Sequence, residues 1–323
     1  MAKEMMKANA KRNHHKVPRY YLKGFVERED EPFLWVYRKG LQYKPGRTRY
    51  KYNPYRDSIK FVGSEMDYYA STNRDGIIDY ETYENILEKL EKPADPVIKK
   101  IRDRQMITFD EKMILASYIV LMLKRVESRR QKATGMWPSF LKEFESSSDL
   151  IRAVAILERD TPPEDTRTLE PLKKVRAEID RVIGEHKANR SNVPSQILHE
   201  SMVAPGSKLV PAISQMNWQF LIAPKGSKFL TSDNPVFFFE GIGLNKPQSE
   251  ITFPISSDVA LAAFGRPGFR EGFVTTTTHV VAEINRRTAY AATKEAYHSC
   301  AASWVVQVLT KRKPQLNYIN PVQ

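Results

Sequence analysis

Along this chain the spacing of apolar residues passes from alternation to a helical period and back. Phe33-Leu34-Trp35-Val36-Tyr37 alternates and ends at Arg38-Lys39-Gly40, which predicts a strand running into a turn. Residues 50–55 are its partner strand or a loop, since Pro54 weakens any pairing there. From Asp79 the period becomes helical, with Tyr83, Ile86, Leu87 and Leu90 on one face until Pro93 stops the run. A longer helix is predicted over 109–133, where Thr108 and Glu111 have capping-box spacing and Met113, Ile114, Tyr118, Leu121, Met122 and Arg125 follow. Two further helical patterns cover about 149–158 and 169–187, separated by an exposed, Pro-rich, charged loop over 159–167.

After Gln196 a short helical segment reaches about residue 216, and the chain then turns β-rich. The runs 218–222 and 228–231 flank Pro224-Lys225-Gly226, which is hairpin chemistry. Short apolar runs at 236–239, 251–254 and 259–264 extend a mostly antiparallel sheet, a helix is expected over 279–292, and 304–309 reads as a last strand. The fold class is therefore α+β: a helical middle region packed with a mostly antiparallel sheet built from the C-terminal half and a short N-terminal hairpin. A flexible basic arm over 1–13 precedes a single domain over 14–323, whose helical section spans about 77–190 and whose β-rich section spans about 217–310. No internal repeat or low-complexity tract is visible.

The 323 residues suffice to bury a core without disulfides, and the single cysteine, Cys300, has no intrachain partner. The N-terminus lacks the apolar run of a secretory signal. The longest apolar segment, 113–126, is interrupted by Ser117 and Lys124, so nothing approaches the roughly 18 apolar residues of a membrane span. A cytoplasmic protein with no membrane partner is the expectation; the oligomeric state stays open.

Charge adds more. The net charge is +13, and residues 1–60 hold sixteen Lys and Arg against six Asp and Glu. Tyr20, Tyr21, Phe25, Trp35, Tyr37, Tyr43, Tyr50, Tyr52 and Tyr55 are interleaved with those cations, a pattern that suits phosphate pairing combined with base stacking. A solvated basic rim around an aromatic core explains the same pattern. The basic cluster Lys124, Arg125, Arg129, Arg130 and Lys132 likewise suits either the negative pole of a helix or a phosphate-facing surface.

Gly-rich phosphate loops, His-Glu-x-x-His, paired cysteines and the serine nucleophile elbow are all missing from the sequence. Three polar spots remain. His14-His15-Lys16-Val17-Pro18-Arg19-Tyr20-Tyr21-Leu22 sets a histidine pair beside a stiffening proline, so a held imidazole serves as general base or metal ligand, or merely hydrogen-bonds a carbonyl while Tyr21, Leu22 and Phe25 pack. Thr231-Ser232-Asp233-Asn234-Pro235-Val236 presents Asp233 at a strand end, as a base or metal ligand or as a turn former. Glu81, Glu84 and Glu88 share a helix face that is ordinarily solvated; turned inward, Glu84 would join His15 and Asp233 in a metal or proton-transfer site.

Taken in order, His15-x-Val17-Pro18-x-x-Tyr21-Leu22-x-x-Phe25, Leu34-Trp35-Val36-Tyr37, Thr231 to Val236, Phe253-Pro254-Ile255-Ser256 and Ile284-Asn285 resemble a widespread, mostly bacterial family of unknown function. The resemblance covers nearly the whole chain and departs at Arg19, where it implies Gln. It raises His15, Asp233, Asn234 and Asn285 as places to look, and by analogy implies a role in phage defence or a toxin-like system.

The expectation is a nucleic-acid-directed protein, most simply a phosphodiester hydrolase. His15, Asp233, Asn234 and Glu84 are its catalytic candidates; Arg19, Tyr21, Lys16 and Asn285 are its substrate-binding candidates. A divalent ion such as Mg²⁺ is optional, with Asp233 and His15 as candidate ligands. The alternatives are a non-catalytic nucleic-acid or nucleotide binding module, and a scaffold whose basic surface meets an acidic protein.

Overall fold

The computed structural model describes residues 12–28, 30–39, 54–72, 77–147, 149–188, 195–203, 208–244, 246–310 and 316–320. It is an α+β protein whose sheets are mostly antiparallel. The chain divides into two compact units, one holding residues up to 127 together with those from 199 onward, the other holding 128–198. The helical section expected over about 77–190 is thus shared between them. Residues 1–11 of the expected arm lie outside the described residues; Arg12 and Asn13 are placed.

In the larger unit, strand β1 (Asn13–His15) pairs with β4 (Ser64–Met66) and leads through Pro18 into the short helix α1 (Arg19–Leu22). Strand β2 (Phe33–Arg38) pairs on one side with β3 (Tyr55–Ser58), so the expected N-terminal partner strand exists and starts after Pro54. The small pair β5 (Ser71–Thr72) and β6 (Ile78–Asp79) precedes α2 (Thr82–Glu91), whose first turn is capped by Asp79: its Oδ1 accepts from the Glu81 and Thr82 amides. Helix α3 (Ala94–Arg102) follows. Then comes α4 (Phe109–Arg125), which opens with the capping box its sequence predicts, Thr108 Oγ1 accepting from Glu111 N and Glu111 Oε2 from Thr108 N. The helix ends earlier than 133 because Val126 is extended, and a new helix starts at Glu127.

The smaller unit, 128–198, is helical. It carries most of α5 (Glu127–Ser147), with α6 (Asp149–Asp160) and α7 (Thr166–Ala188), and the residues between the last two form an exposed turn rather than a long loop.

After α8 (Ser195–Val203) and α9 (Leu209–Ser214) comes β7 (Asn217–Ile222). A turn forms at Pro224 to Ser227, with Gly226 at φ +84, yet no hairpin results. Ala223 N and Phe229 N donate to Asp258 O and Ser257 O, which carries the chain across to β8 (Thr231–Ser232) in a different sheet. β9 (Phe237–Phe238), β10 (Glu250–Pro254), β11 (Val259–Phe264) and β12 (Gly272–Thr275) complete a five-stranded sheet of order β12-β7-β11-β10-β9, in which only β12 and β7 run parallel. Helix α10 (Thr278–Ala291) leads to β13 (Glu295–His298), one of the two central strands of the four-stranded sheet β3-β2-β13-β8.

The residues 304–309, read as a strand, belong instead to helix α11 (Ser303–Thr310). Val305 and Leu309, four apart, are buried against Tyr37, Ala289 and Ala296, so packing at a helical period overrides the β-branched composition.

Central strand β11 shows why the sheet has two cores. Val259, Leu261 and Ala263 face the large cluster that includes Tyr21, Leu22, Phe25, Ile98, Ile119 and Phe253, whereas Ala260, Ala262 and Phe264 face α10 through Val281 and Ile284. Alternation along one strand thus joins two helical layers. The N-terminal motif serves the first of these. Val17, Tyr21, Leu22 and Phe25 are fully buried, and Tyr21 Oη bonds to Thr231 Oγ1 at 2.7 Å and Pro254 O at 2.8 Å. Gly24 sits against the Arg102 guanidinium, which donates to Tyr20 O and Tyr21 O; a Cβ there would meet Arg102 Nη2 at 2.5 Å and Ile255 O at 2.7 Å. Glycine at 24 is therefore required by close approach.

Candidate active site

The two adjacent histidines have different surroundings. His14 is fully buried: its Nδ1 accepts from Tyr69 N at 2.8 Å and its Nε2–H donates to Tyr80 O at 2.8 Å, so both ring nitrogens are used in holding the fold. His15 lines a cavity of about 390 Å³. Its Nε2–H donates to Lys60 O at 3.0 Å, which leaves Nδ1 as the acceptor nitrogen of the neutral ring. Burial, with the nearby charge of Arg19, pushes the imidazole down to about 4, so it is neutral across the physiological range.

Helix α2 forms the opposite wall. Glu84 Oε1 accepts from His15 N at 3.5 Å, while Oε2 is buried and, among the described residues, has no hydrogen-bond partner. Burial raises its carboxyl above the usual carboxylate range, and Arg125 only partly offsets this. Glu81 and Glu88 stay exposed, so the acidic stripe is solvated except at Glu84.

Arg125 is the buried cation behind this wall, 2 % exposed, and not part of a basic surface at the helix end. Its guanidinium is ion-paired with Glu91, donates to the His15 carbonyl and donates to Tyr69 Oη at 3.2 Å. It thereby fixes the backbone of His15. Nothing in the periodicity of 109–125 distinguishes Arg125 from its apolar neighbours; a charged residue at a core position of a predicted helix was the available signal. Arg19 is exposed at the cavity mouth and, among the described residues, has no carboxylate partner.

The other expected site residues lie elsewhere. Asp233 is absent from the cavity lining and 6 % exposed, and its carboxylate accepts from the amides of Thr293, Lys294 and Glu295 at 2.8, 2.7 and 3.3 Å. Asn234 Nδ2 donates to Ala291 O. Together the pair clamps the corner between α10 and β13, and burial holds the Asp233 carboxyl above its ordinary value while the amides pull it back. Tyr21 is closed inside the core, and Lys16 is buried against Glu65 at 2.8 Å. Asn285 is used by the backbone of the segment leading into β8, accepting from Leu230 N and donating to Lys228 O. So the structure brings His15, Glu84 and Arg19 to one cavity and leaves Asp233, Asn234, Tyr21, Lys16 and Asn285 out of its lining. Among the described residues no group of three or more His, Cys, Asp or Glu side chains is arranged to hold a metal ion.

The aromatic and basic N-terminal pattern resolves similarly. Tyr21, Phe25 and Tyr37 are buried, while Arg38, Arg56 and Lys60 lie over the rings of Tyr55, Phe33 and Phe61. Arg12, Lys16, Arg28, Arg38 and Arg56 all have carboxylate partners. Tyr43, Tyr50 and Tyr52 lie outside the described residues. Among those residues no helix is long and apolar enough to cross a membrane.

A family described as a protein of unknown function, DUF4238, matches residues 13–301. The chain belongs to this family. No curated protein and no solved structure matches it. The DUF4238 match spans both the His15 cavity and the Asp233 clamp, and it ends just past Cys300.

Proposed function

We propose that this DUF4238 protein is an RNA-directed phosphodiester hydrolase whose chemistry is general acid–base catalysis in the His15 cavity. The observation that carries the reading is one cavity lined both by a neutral imidazole and by a carboxyl group held toward its protonated form. Two titratable groups whose surroundings push their protonation apart are how proteins assign base and acid. His15 Nδ1 takes the proton of a ribose 2′-hydroxyl, the oxygen attacks the adjacent phosphorus, and Glu84 protonates the departing 5′-oxygen. RNA is preferred over DNA because its own 2′-hydroxyl supplies the nucleophile, so two side chains suffice. Arg19 faces the phosphate, and the +13 net charge draws a polyanion to the surface.

The test is cleavage of end-labelled RNA and of DNA of the same sequence by wild type, His15→Gln, Glu84→Gln and Asp233→Asn, in EDTA and in Mg²⁺. We expect RNA cleavage to 2′,3′-cyclic phosphate ends in either buffer. The rate should rise as pH passes through about 4 and fall once Glu84 ionises, and loss of either cavity residue should cost about 100-fold or more. Cleavage untouched in His15→Gln, or none by wild type, overturns the reading. The concentrated N-terminal charge favours a second reading, a binding module without turnover; steeply salt-dependent RNA binding with no products would select it. In a toxin-like or phage-defence setting, which family analogy suggests, RNA cleavage would act by stopping translation.

A further inference from the structure

A second cavity, about 700 Å³, lies in the same unit and shares no lining residue with the first. Its walls are the Gly226–Lys228 turn, one face of α10 and the chain from His298 into α11. None of its lining residues is Asp or Glu, whereas Lys228 and Arg286 both contribute. Arg286 is held by Glu283; Lys228 Nζ donates to Ser299 Oγ at 3.2 Å and, among the described residues, has no carboxylate partner. Helices α10 and α11 both begin in this wall, at Thr278 and Ser303, and the first amides of a helix have no intrahelical acceptor. Such surroundings favour an anion.

A buried side chain in the same wall narrows the kind of anion. His298 is 3 % exposed, and its Nδ1 lies 2.8 Å from Cys300 O. A carbonyl oxygen only accepts, so the ring proton sits on Nδ1 and Nε2 is a bare acceptor. Cys300 N is farther from Nδ1, at 3.2 Å, and does not alter that assignment. Nε2 is buried and, among the described residues, has no hydrogen-bond partner. Burial, with the nearby charge of Lys228, lowers the pKa of the ring, so the imidazole stays neutral. In a wall otherwise made of cations and donors, an unpaired acceptor calls for a ligand oxygen that still carries hydrogen. A phosphate monoester supplies one, since its second proton is held up to about pH 6, whereas a sulfate ester has none to give. Trp304 stands edge-on to the imidazole with ring centroids 5.4 Å apart, and Val281, Ala302 and Val308 continue an apolar lining that suits the organic part of such an ester.

We propose that this cavity binds a phosphate monoester of a small apolar or aromatic alcohol, its phosphoryl group seated between Lys228, the start of α11 and His298 Nε2. The P–OH donates to Nε2, while the ionised oxygens accept from Lys228 and from the first amides of α11. Arg286 adds positive charge, and the organic group lies along Trp304 and the two valines. No bond is made or broken. The site is a receptor for a phosphorylated small molecule, and it does not depend on RNA cleavage in the His15 cavity.

Calorimetric titration of the full chain with phenyl phosphate, phenyl sulfate and inorganic phosphate at about pH 6, where the monoester is roughly half protonated, tests this. We expect one phenyl phosphate per chain, bound at least about tenfold more tightly than either of the other two. Lys228→Gln, at an exposed position, should weaken that binding about tenfold, whereas Arg19→Gln, at the mouth of the other cavity, should leave it unchanged. His298→Phe should shrink the preference for phosphate over sulfate several-fold. Should that buried variant fail to fold, as circular dichroism would show, the wild-type preference and the contrast between Lys228→Gln and Arg19→Gln still decide. Equal affinity for phenyl phosphate and either of the other probes, a loss caused by Arg19→Gln in place of Lys228→Gln, or no binding at millimolar phenyl phosphate overturns the proposal.

Discussion

Removing the Asp233 carboxylate tests whether that residue is a clamp or a catalyst. In Asp233→Ala the amides of Thr293, Lys294 and Glu295 lose their common acceptor. Hydrogen bonds to an ionised acceptor are worth roughly 1.5–3 kcal/mol each, but Asp233 is buried while the donor residues 293–295 are partly exposed, so water replaces part of the loss. The longest of the three bonds, 3.3 Å to Glu295, is also the weakest. A net loss of about 3 kcal/mol follows, with about 2 kcal/mol for Asp233→Asn, which keeps one carbonyl acceptor. Urea unfolding followed by far-UV circular dichroism should give that decrease with an unchanged slope. Amide hydrogen exchange should accelerate at 293–295. RNA cleavage by Asp233→Asn should track its folded fraction. Stability within about 0.5 kcal/mol of wild type in Asp233→Ala, together with abolished turnover, would refute the clamp and return Asp233 to the chemistry.

Three further outcomes follow from buried charge. His15 has a folded-state pKa of about 4 against about 6.5 in the unfolded chain, so its contribution is fully present above 6.5 and is lost as pH falls toward 4, by roughly 3 kcal/mol. Raised Glu84 acts in the opposite sense, losing its contribution as pH rises through its shifted value, so comparing urea midpoints of wild type and His15→Gln from pH 7 to 4.5 isolates the histidine. Arg125→Ala should cost about 3–5 kcal/mol by leaving Glu91 buried and unpaired, and a double-mutant cycle with Glu91→Gln should recover part of that loss in denaturation experiments. Ending the chain at residue 315 should cost a similar amount in the same assay. Ile319 fills the cluster under α10, and the amides of Asn317 and Ile319 satisfy Glu283 and Glu250 around fully buried Arg287.

The fold was readable wherever one local pattern decided it. The Thr108–Glu111 capping box started a helix as its spacing requires, and β11, a continuous apolar run, became a strand buried on both faces. The failures came from long-range partners. Pro224-Lys225-Gly226 makes a turn, yet β7 pairs with β11 and β8 with β13, because the backbone of 257–258 bridges the two sheets. The residues 304–309 have strand composition, but Val305 and Leu309 meet a pocket spaced for a helix. Both outcomes were fixed by surfaces supplied far away in the chain.

The same division explains the site. The motif from His15 to Phe25 is one local object serving two purposes: Val17, Tyr21, Leu22 and Phe25 build the core, while His15 and Arg19 are turned to the cavity by the strand and short helix that Pro18 joins. Glu84 was legible as one of three acids on a helix face, but only burial against His15 and Arg125 separates it from Glu81 and Glu88. Asp233 carried an equally strong local signal and proved to be an acceptor for backbone sixty residues downstream. A polar residue at a strand end is chemically the same whether its partners are substrate or main chain; what distinguishes the two is whether its oxygens are already satisfied. By that criterion the chemistry we propose centres on the His15 cavity, in whose wall Glu84 Oε2 is buried and, among the described residues, has no hydrogen-bond partner.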